Sequence, residues 1–375
     1  MKNKGKFAFL SFITLIALIV RLAGRNVIVD DMTSFLLPWF ETIKNGGGLT
    51  ALNEQVGDYG LLYQTIIALF TYVDANPVYL YKSFSVIFDF LLALSIAYFV
   101  SNSGKGTFIK GNPFCLSYAY VIMLPTVVMN SAFWGQSDSI YTCFLLWSIW
   151  FLYKEKYGFS FFMLGCALSF KLQSILLFPL FFYAFLKKNY SLLYFLITIF
   201  TFWFSGVVAY FYGRNFLDGI RIYLYQAGEY HHMWMNVPSF WVLVSDDYHK
   251  LHLLAIGLTF LILGAFFIKS KERLRMDTFE KIFGLAAFIE WTCILFLPAM
   301  HERYTYVLDL LLIMLAFINK RCIRYAFITS TMSCLTYNAY LFSGKEPINS
   351  SLVIIYLLTW LHFSYTSFRS SFIED

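Results

Sequence analysis

MKNKGKFAFLSFITLIALIVRLAGR, residues 1–25, sets three lysines (Lys2, Lys4 and Lys6) ahead of an apolar run from Phe7 to Val20. The pattern imitates a secretory leader. No small-x-small cleavage site follows the run, only Arg21, Leu22, Ala23, Gly24 and Arg25. The segment therefore reads as a retained first membrane helix with the lysines on its cytoplasmic side. The remainder of the chain decides the matter, because it repeats the same kind of run many times over.

Working outward, apolar runs recur at about 77–100, 114–131, 138–153, 158–170, 172–186, 190–211, 251–268, 279–298, 304–318, 323–343 and 352–368. With 7–24 they predict an all-α chain, a polytopic transmembrane bundle of about 11–13 spans forming one domain over 1–375. Crossing lipid takes about 20 apolar residues per helix, since the bilayer core offers backbone groups no water. Composition agrees: 59% of the 375 residues are hydrophobic, 21% aromatic and only 13% charged, and mean hydropathy is +0.64. A soluble globular domain carries about 25% charged residues. The six cysteines all fall in or beside apolar runs, without zinc-type spacing, and read as small buried hydrophobes.

Charge gives the topology. With the N-terminus cytoplasmic, alternate turns carry Lys105 and Lys110; Lys154 and Lys156; Lys187 and Lys188; Lys269, Lys271, Arg273, Arg275 and Lys281; Lys320, Arg321 and Arg324; and Arg369. With the N-terminal lysines these make 18 of the 28 Lys and Arg residues, and both termini come out cytoplasmic. The net charge of +6 thus reflects membrane orientation, and no nucleic-acid partner is expected.

Two outer loops, about 25–76 and 212–250, are too long to be connectors. In the first, Met32–Lys44 spaces Phe35, Leu36, Trp39, Phe40 and Ile43 as an amphipathic helix, and Leu61–Val73 is a second apolar helix too short to span. The polar residues gather at outer helix ends in six segments. They are Asp30-Asp31; Asp58-Tyr59; Trp134, Gly135, Gln136 and Asp138; Lys171 and Gln173; His231, His232 and Asn236; and His301-Glu302-Arg303. Ionisable groups near membrane depth are costly and usually line a cavity or a substrate path. Each also has a plain structural reading: Asp30-Asp31 as a helix cap, Asp138 as a cap after a tight turn, Lys171 as a snorkelling side chain, His301–Arg303 as a local ion pair. The His231-His232 pair has no partner at metal-ligand spacing, and no metal is expected.

Taken together the segments resemble the bacterial GT-C membrane glycosyltransferases related to the GPI-anchor second mannosyltransferase. The resemblance covers about residues 21–305. It is carried by Arg21 ahead of Asp31-Met32 and Phe35 to Trp39, Gly46-Gly47, and Gly57-Asp58-Tyr59 leading to Tyr63. Further on come Phe133-Trp134-Gly135-Gln136-Ser137-Asp138-Ser139-Ile140-Tyr141, Lys171-Leu172-Gln173 before Pro179, Asn236 with Pro238, and Met300-His301-Glu302-Arg303-Tyr304. Two departures stand out. Gly60-Leu61 replaces the prolines often found after the Asp-Tyr pair, and the doubled Asp30-Asp31 shifts the acid by one possible position.

The resemblance implies a cell-membrane transferase with its active site on the outer face. It would pass a hexose, mannose first, from a polyprenyl-phosphate carrier to a cell-surface polysaccharide or lipid-linked acceptor, without a cofactor and with inversion. Asp31, or else Asp30, is the implied general base. Lys171, Arg303, His301 and Gln173 would meet the donor phosphate, and Gln136, Asp138, Trp134, Asp58, Tyr59 and Asn236 the sugar. Two other classes fit less well. A transporter or flippase of lipid-linked sugars should show polar residues near span midpoints and two related halves; the polar groups read instead as clustered at outer ends. A non-catalytic partner of a polysaccharide assembly complex would need no acid in the first loop.

Overall fold

The computed structural model describes residues 3–104, 106, 108, 111–344 and 348–369. Lys2, Lys105 and Lys110 of the charge pattern lie outside the described residues. The chain is nearly all helical, and helical structure occupies each of the twelve apolar runs. Among the described residues, four helices are long and apolar enough to cross a membrane: Lys4–Gly24, Pro77–Ser101, Tyr248–Ser270 and Ser350–Phe368. A fifth span arises if Pro113–Ile122 and Pro125–Trp134, bent by 51°, count as one.

The remaining runs fall short for identifiable reasons. Pro125 starts a new helix after Leu124 adopts an extended conformation, as the residue before a proline tends to. Lys171 is extended between the Tyr157–Phe170 helix and a 3-10 turn, Leu172–Leu177, and Pro179 then opens the Phe178–Lys188 helix. Phe279–Phe296 has 18 residues, but includes the ionisable Glu280, Lys281 and Glu290.

The chain divides into two compact units, each assembled from three separate stretches. The first comprises Met1–Ser95, Tyr118–Ile175 and Leu192–Tyr230. Here the Asp138–Tyr153 helix packs along Tyr157–Phe170, which in turn packs on Tyr194–Phe204. Small residues allow the approach, as is usual where helices meet without a hydrophobic drive from water. A Cβ on Gly165 would stand 2.6 Å from Thr201 Cβ, and the hydroxyls of Ser148 and Ser160 donate to each other's carbonyls at 2.6 and 2.8 Å.

An ion pair fixes the first helix. Arg21 Nε donates to Asp89 Oδ2 at 2.9 Å, and Ser131 Oγ donates to the same oxygen. Asp89 stands midway along the 25-residue Pro77–Ser101 helix and is wholly buried. The expectation that polar groups keep to outer helix ends is corrected here. Asp89 in the first unit, and Glu290 and Asp309 in the second, are buried acids within helices. Desolvation makes such an acid costly unless paired, and Arg21 with Ser131 supplies the pairing for Asp89.

The second unit comprises Ile96–Ser117, Leu176–Ser191 and His231–Asp375. Its centre is the Phe279–Phe296 helix, buried on every face, with Tyr248–Ser270, Thr305–Ile318 and Ser350–Phe368 packed against it. Part of the long loop at about 212–250 docks on this helix's last turn. Trp241 Nε1 donates to the Phe296 carbonyl at 2.8 Å, and Ser239 Oγ to that of Leu295 at 3.1 Å.

Candidate functional site

The long loop at about 25–76 forms two helices, as its periodicity predicts. Met32–Leu36 is a π-helical turn that runs into the Leu37–Asn45 helix, burying Met32, Leu36, Phe40 and Ile43. The second, Leu61–Phe70, is also largely buried within the unit. Asp31 precedes the π turn, but its side chain makes no cap bond to the helix. The carboxylate turns elsewhere. Trp134 Nε1 donates to Asp31 Oδ2 at 2.8 Å, and Gln136 Nε2 donates to the same oxygen at 2.7 Å.

The local chain around Gly135 makes this possible. Gly135 ends the π-helical stretch Met129–Trp134 with φ near +80°, a conformation that strains any residue with a Cβ. A Cβ there would also lie 2.7 Å from Met32 Cε. The reversal presents the side chains of Trp134 and Gln136, residues on either side of the glycine, to one carboxylate. Asp30, the neighbouring acid, is exposed, and its carbonyl accepts from Thr33 Oγ1 at 3.1 Å. The structure therefore distinguishes two adjacent aspartates that the sequence leaves equivalent: Asp31 is in the network.

The network continues to Tyr59, whose hydroxyl donates to Gln136 Oε1 at 3.0 Å. Both ends of the Gln136 amide are thus engaged, one by the tyrosine and one by the aspartate. The preceding Gly57-Asp58 turn lies against Trp39. Gly57 has φ near +75°, and a Cβ on it would come within 2.3 Å of the indole. Trp39 meets Tyr59 edge to face at 5.2 Å, and Tyr59 meets Tyr63 likewise at 4.9 Å.

Lys171 does not snorkel. It is 2% exposed, and its Nζ stands 2.5 Å from Asp138 Oδ1. Asn130 Nδ2 donates to the other oxygen, Asp138 Oδ2, at 2.7 Å. Asp138 is the first residue of its helix, directly after the N-cap Ser137, and its carboxylate serves Lys171 and Asn130. The ammonium also lies 5.9 Å from the Tyr59 ring centre and 5.7 Å from that of Tyr141, distances at which a cation is attracted to an aromatic face. Gln173, 9% exposed, follows in the 3-10 turn.

Four of the six polar segments, those of Asp31, Asp58-Tyr59, Trp134–Asp138 and Lys171-Gln173, thus belong to the first unit. The other two meet each other in the second. Trp234-Met235 pairs in parallel with Met300-His301, and Ala299 N donates to the His232 carbonyl at 3.0 Å. Asn236, partly exposed with φ near +53°, follows that strand. His301 and Glu302 are buried, and Arg303 is partly so. His232 pairs with Asp246 at 2.8 Å, and the His231 ring packs against Tyr248 and His249. Among the described residues, no three His, Cys, Asp or Glu side chains are grouped so as to hold a metal ion.

Some participants carry no signal in the sequence. Asn130 precedes the Trp134–Asp138 motif and looks like any polar residue in a helix. Arg214 is 5% exposed and donates to Gln55 Oε1 at 3.1 Å and Gln64 Oε1 at 2.9 Å, tying together parts of both long loops. Asp89 is different, because an acid inside an apolar run is itself a signal. No protein-family model matches the chain, and no curated protein does.

Proposed function

We propose that the chain is a polytopic GT-C-type glycosyltransferase of the cell membrane. In this reading it moves a hexose, mannose by resemblance, from a polyprenyl-phosphate carrier to a cell-surface glycan or lipid-linked acceptor at the outer face. One observation supports it above the others: Asp31 is held by two N–H donors from the Trp134–Asp138 segment, and Lys171 lies in the same unit.

The chemistry is a single displacement. The acceptor oxygen forms a bond to the anomeric carbon as the bond from that carbon to the carrier phosphate breaks. The acceptor proton passes to the Asp31 carboxylate, and the electron pair leaves on polyprenyl phosphate, inverting the centre. A positioned carboxylate within hydrogen-bond reach suits the proton transfer. Trp134 and Gln136 act in this scheme as positioning residues, since charge-assisted bonds to one oxygen fix the carboxylate plane. Phosphate is already a good leaving group, so it needs cationic donors more than an acid. Lys171 is assigned that role with Gln173. An ammonium has three donors, so its bond to Asp138 and one to a phosphate oxygen can coexist. Asp58, Tyr59 and Asp138 are assigned to the sugar or to holding the groups that meet it.

Asp89 does not by itself favour transport, since it is engaged by Arg21 and Ser131. The test is Asp31→Asn in membranes supplied with a labelled lipid-phosphate hexose. Asparagine keeps the size of the side chain and removes the base, so transfer should fall by about 10²–10⁴-fold. Undiminished transfer by that variant would remove Asp31 from the mechanism.

A further inference from the structure

Beside the Asp31 network, the first unit holds an open cleft of about 350 Å³. Gln55, Asp58, Asp218, Arg221, Ile222 and Tyr225 line it. Its parts are held in place. Arg214, buried behind the loop, fixes the Gln55 amide through its oxygen at 3.1 Å, and the Gln55 nitrogen donates to the Gly57 carbonyl at 2.6 Å. Arg221 is steadied by Asp218 at 3.1 Å. Tyr225 is 66% exposed. The nearby Glu229 carboxylate pushes the phenol pKa up.

This lining matches the chemistry of a sugar ring. A pyranose has an edge of vicinal hydroxyls and a face of C–H groups. The two carboxylates and the remaining lone pair of the Gln55 oxygen present acceptors to such an edge, Arg221 presents donors, and an aromatic ring offers a flat apolar surface to the face. Pockets for small ligands combine those two features, apolar walls and a few placed polar groups. Charge argues against the carrier's phosphate as occupant, because Asp58 and Asp218 face a single lining cation, Arg221.

The cleft is also joined to the base. Asp58 lines it, and the next residue, Tyr59, donates to Gln136, which donates to Asp31. Gly57 is pressed against Trp39, so the direction in which Asp58 and Tyr59 diverge is set by the backbone.

We propose that this cleft is a subsite for an uncharged hexopyranose, with the ring face on Tyr225 and the hydroxyls on Asp58, Asp218 and Gln55. Binding of the ring does not require the transferase reading; only the choice between donor and acceptor as its bearer rests on it.

The full-length chain in lipid nanodiscs, with methyl α-mannopyranoside as probe, tests the subsite by saturation-transfer NMR. The wild type should show transfer to the ring protons. Tyr225→Ala and Asp58→Asn should each weaken binding on the order of tenfold, about what a lost bond to a charged group is worth. Tyr225 is exposed, so its variant should keep the wild-type melting temperature, which separates lost binding from lost fold. In the transfer assay, the same variants should raise KM for whichever of donor or acceptor carries the bound ring. Absent saturation transfer in the wild type, or transfer unchanged in both folded variants, overturns the subsite. Sugar binding that persists in a chain with no transfer to any acceptor keeps the subsite and overturns the transferase.

Discussion

The side-chain amide of Gln136 donates to Asp31 at 2.7 Å across 105 positions of sequence. Its oxygen accepts from Tyr59 at the same time, so the amide can adopt only one orientation. Gln136 therefore sets the plane of the carboxylate without supplying any chemistry of its own.

Gln136→Glu should separate orientation from chemistry. A carboxylate there repels Asp31 and cannot donate to it, while side-chain length is kept. Transfer of hexose should fall about 10²-fold in kcat, the scale of a displacement near 1 Å in a reacting group, with a smaller change in KM. Tyr59→Phe removes only the outer tether and should cost less. Equal kcat in wild type and Gln136→Glu would show that the amide does not position the base.

The pair Lys171–Asp138 gives a prediction in stability. Both side chains are buried, at 2% and 0% exposure. Removing one partner leaves an uncompensated charge, which typically costs about 3–5 kcal/mol, whereas replacing both by apolar groups is often near neutral. Lys171→Met and Asp138→Leu should each lower the melting temperature in detergent, and the double variant should recover most of the loss. A double variant no more stable than the weaker single would argue that Asn130 and the two tyrosine rings, not the pair, hold this region.

The helical runs were legible because lipid-compatible composition leaves few other readings, but the break at Pro125, inside a run read as continuous over 114–131, comes from the extended residue before that proline. The membrane count was less so. Helices such as Thr305–Ile318, with 14 residues, are shorter than the apolar string that contains them. Of the site, the Trp134–Asp138 segment and Lys171 stood out as polar residues in apolar surroundings. Which of Asp30 and Asp31 turns inward did not, because it depends on the pitch of a π-helical turn and on a glycine more than one hundred positions away. Arg214, Gln55 and Gln64 are ordinary loop residues until the fold joins them. Asp89, midway along an apolar run, falls outside the expectation that polar groups gather at helix ends, and its partner Arg21 enters that expectation only through the resemblance.

Gly135→Ala tests the reversal that brings Trp134 and Gln136 to one carboxylate. Alanine at φ near +80° is strained by roughly 1–2 kcal/mol, and its methyl meets Met32 at 2.7 Å. Loss of both stability and transfer is expected. Gly257→Ala is the control. It lies inside the Tyr248–Ser270 helix with open space around the added methyl, so it should be neutral or stabilising by about 0.5–1 kcal/mol. Equal melting temperatures for the two variants would show that the Gly135 turn tolerates a side chain.

Acid should act at Asp247. This residue caps the Tyr248–Ser270 helix by accepting from Lys250 N at 3.3 Å, and the Lys250 ammonium lies 2.6 Å from its other oxygen. The hydrogen bond from Lys250 holds the carboxyl below the usual aspartate range. A folded value depressed in this way adds stability above the unfolded value, about 3.9, and that increment disappears as pH falls through the folded value. Asp247→Asn keeps an acceptor at the cap and removes the charge. The melting temperature of the wild type should exceed that of the variant by a small, constant amount from about pH 7 to pH 5, and the two curves should converge below about pH 4. High salt should shrink the gap at neutral pH, since both groups face solvent. Parallel curves down to pH 3 would assign the difference to cap geometry rather than to charge.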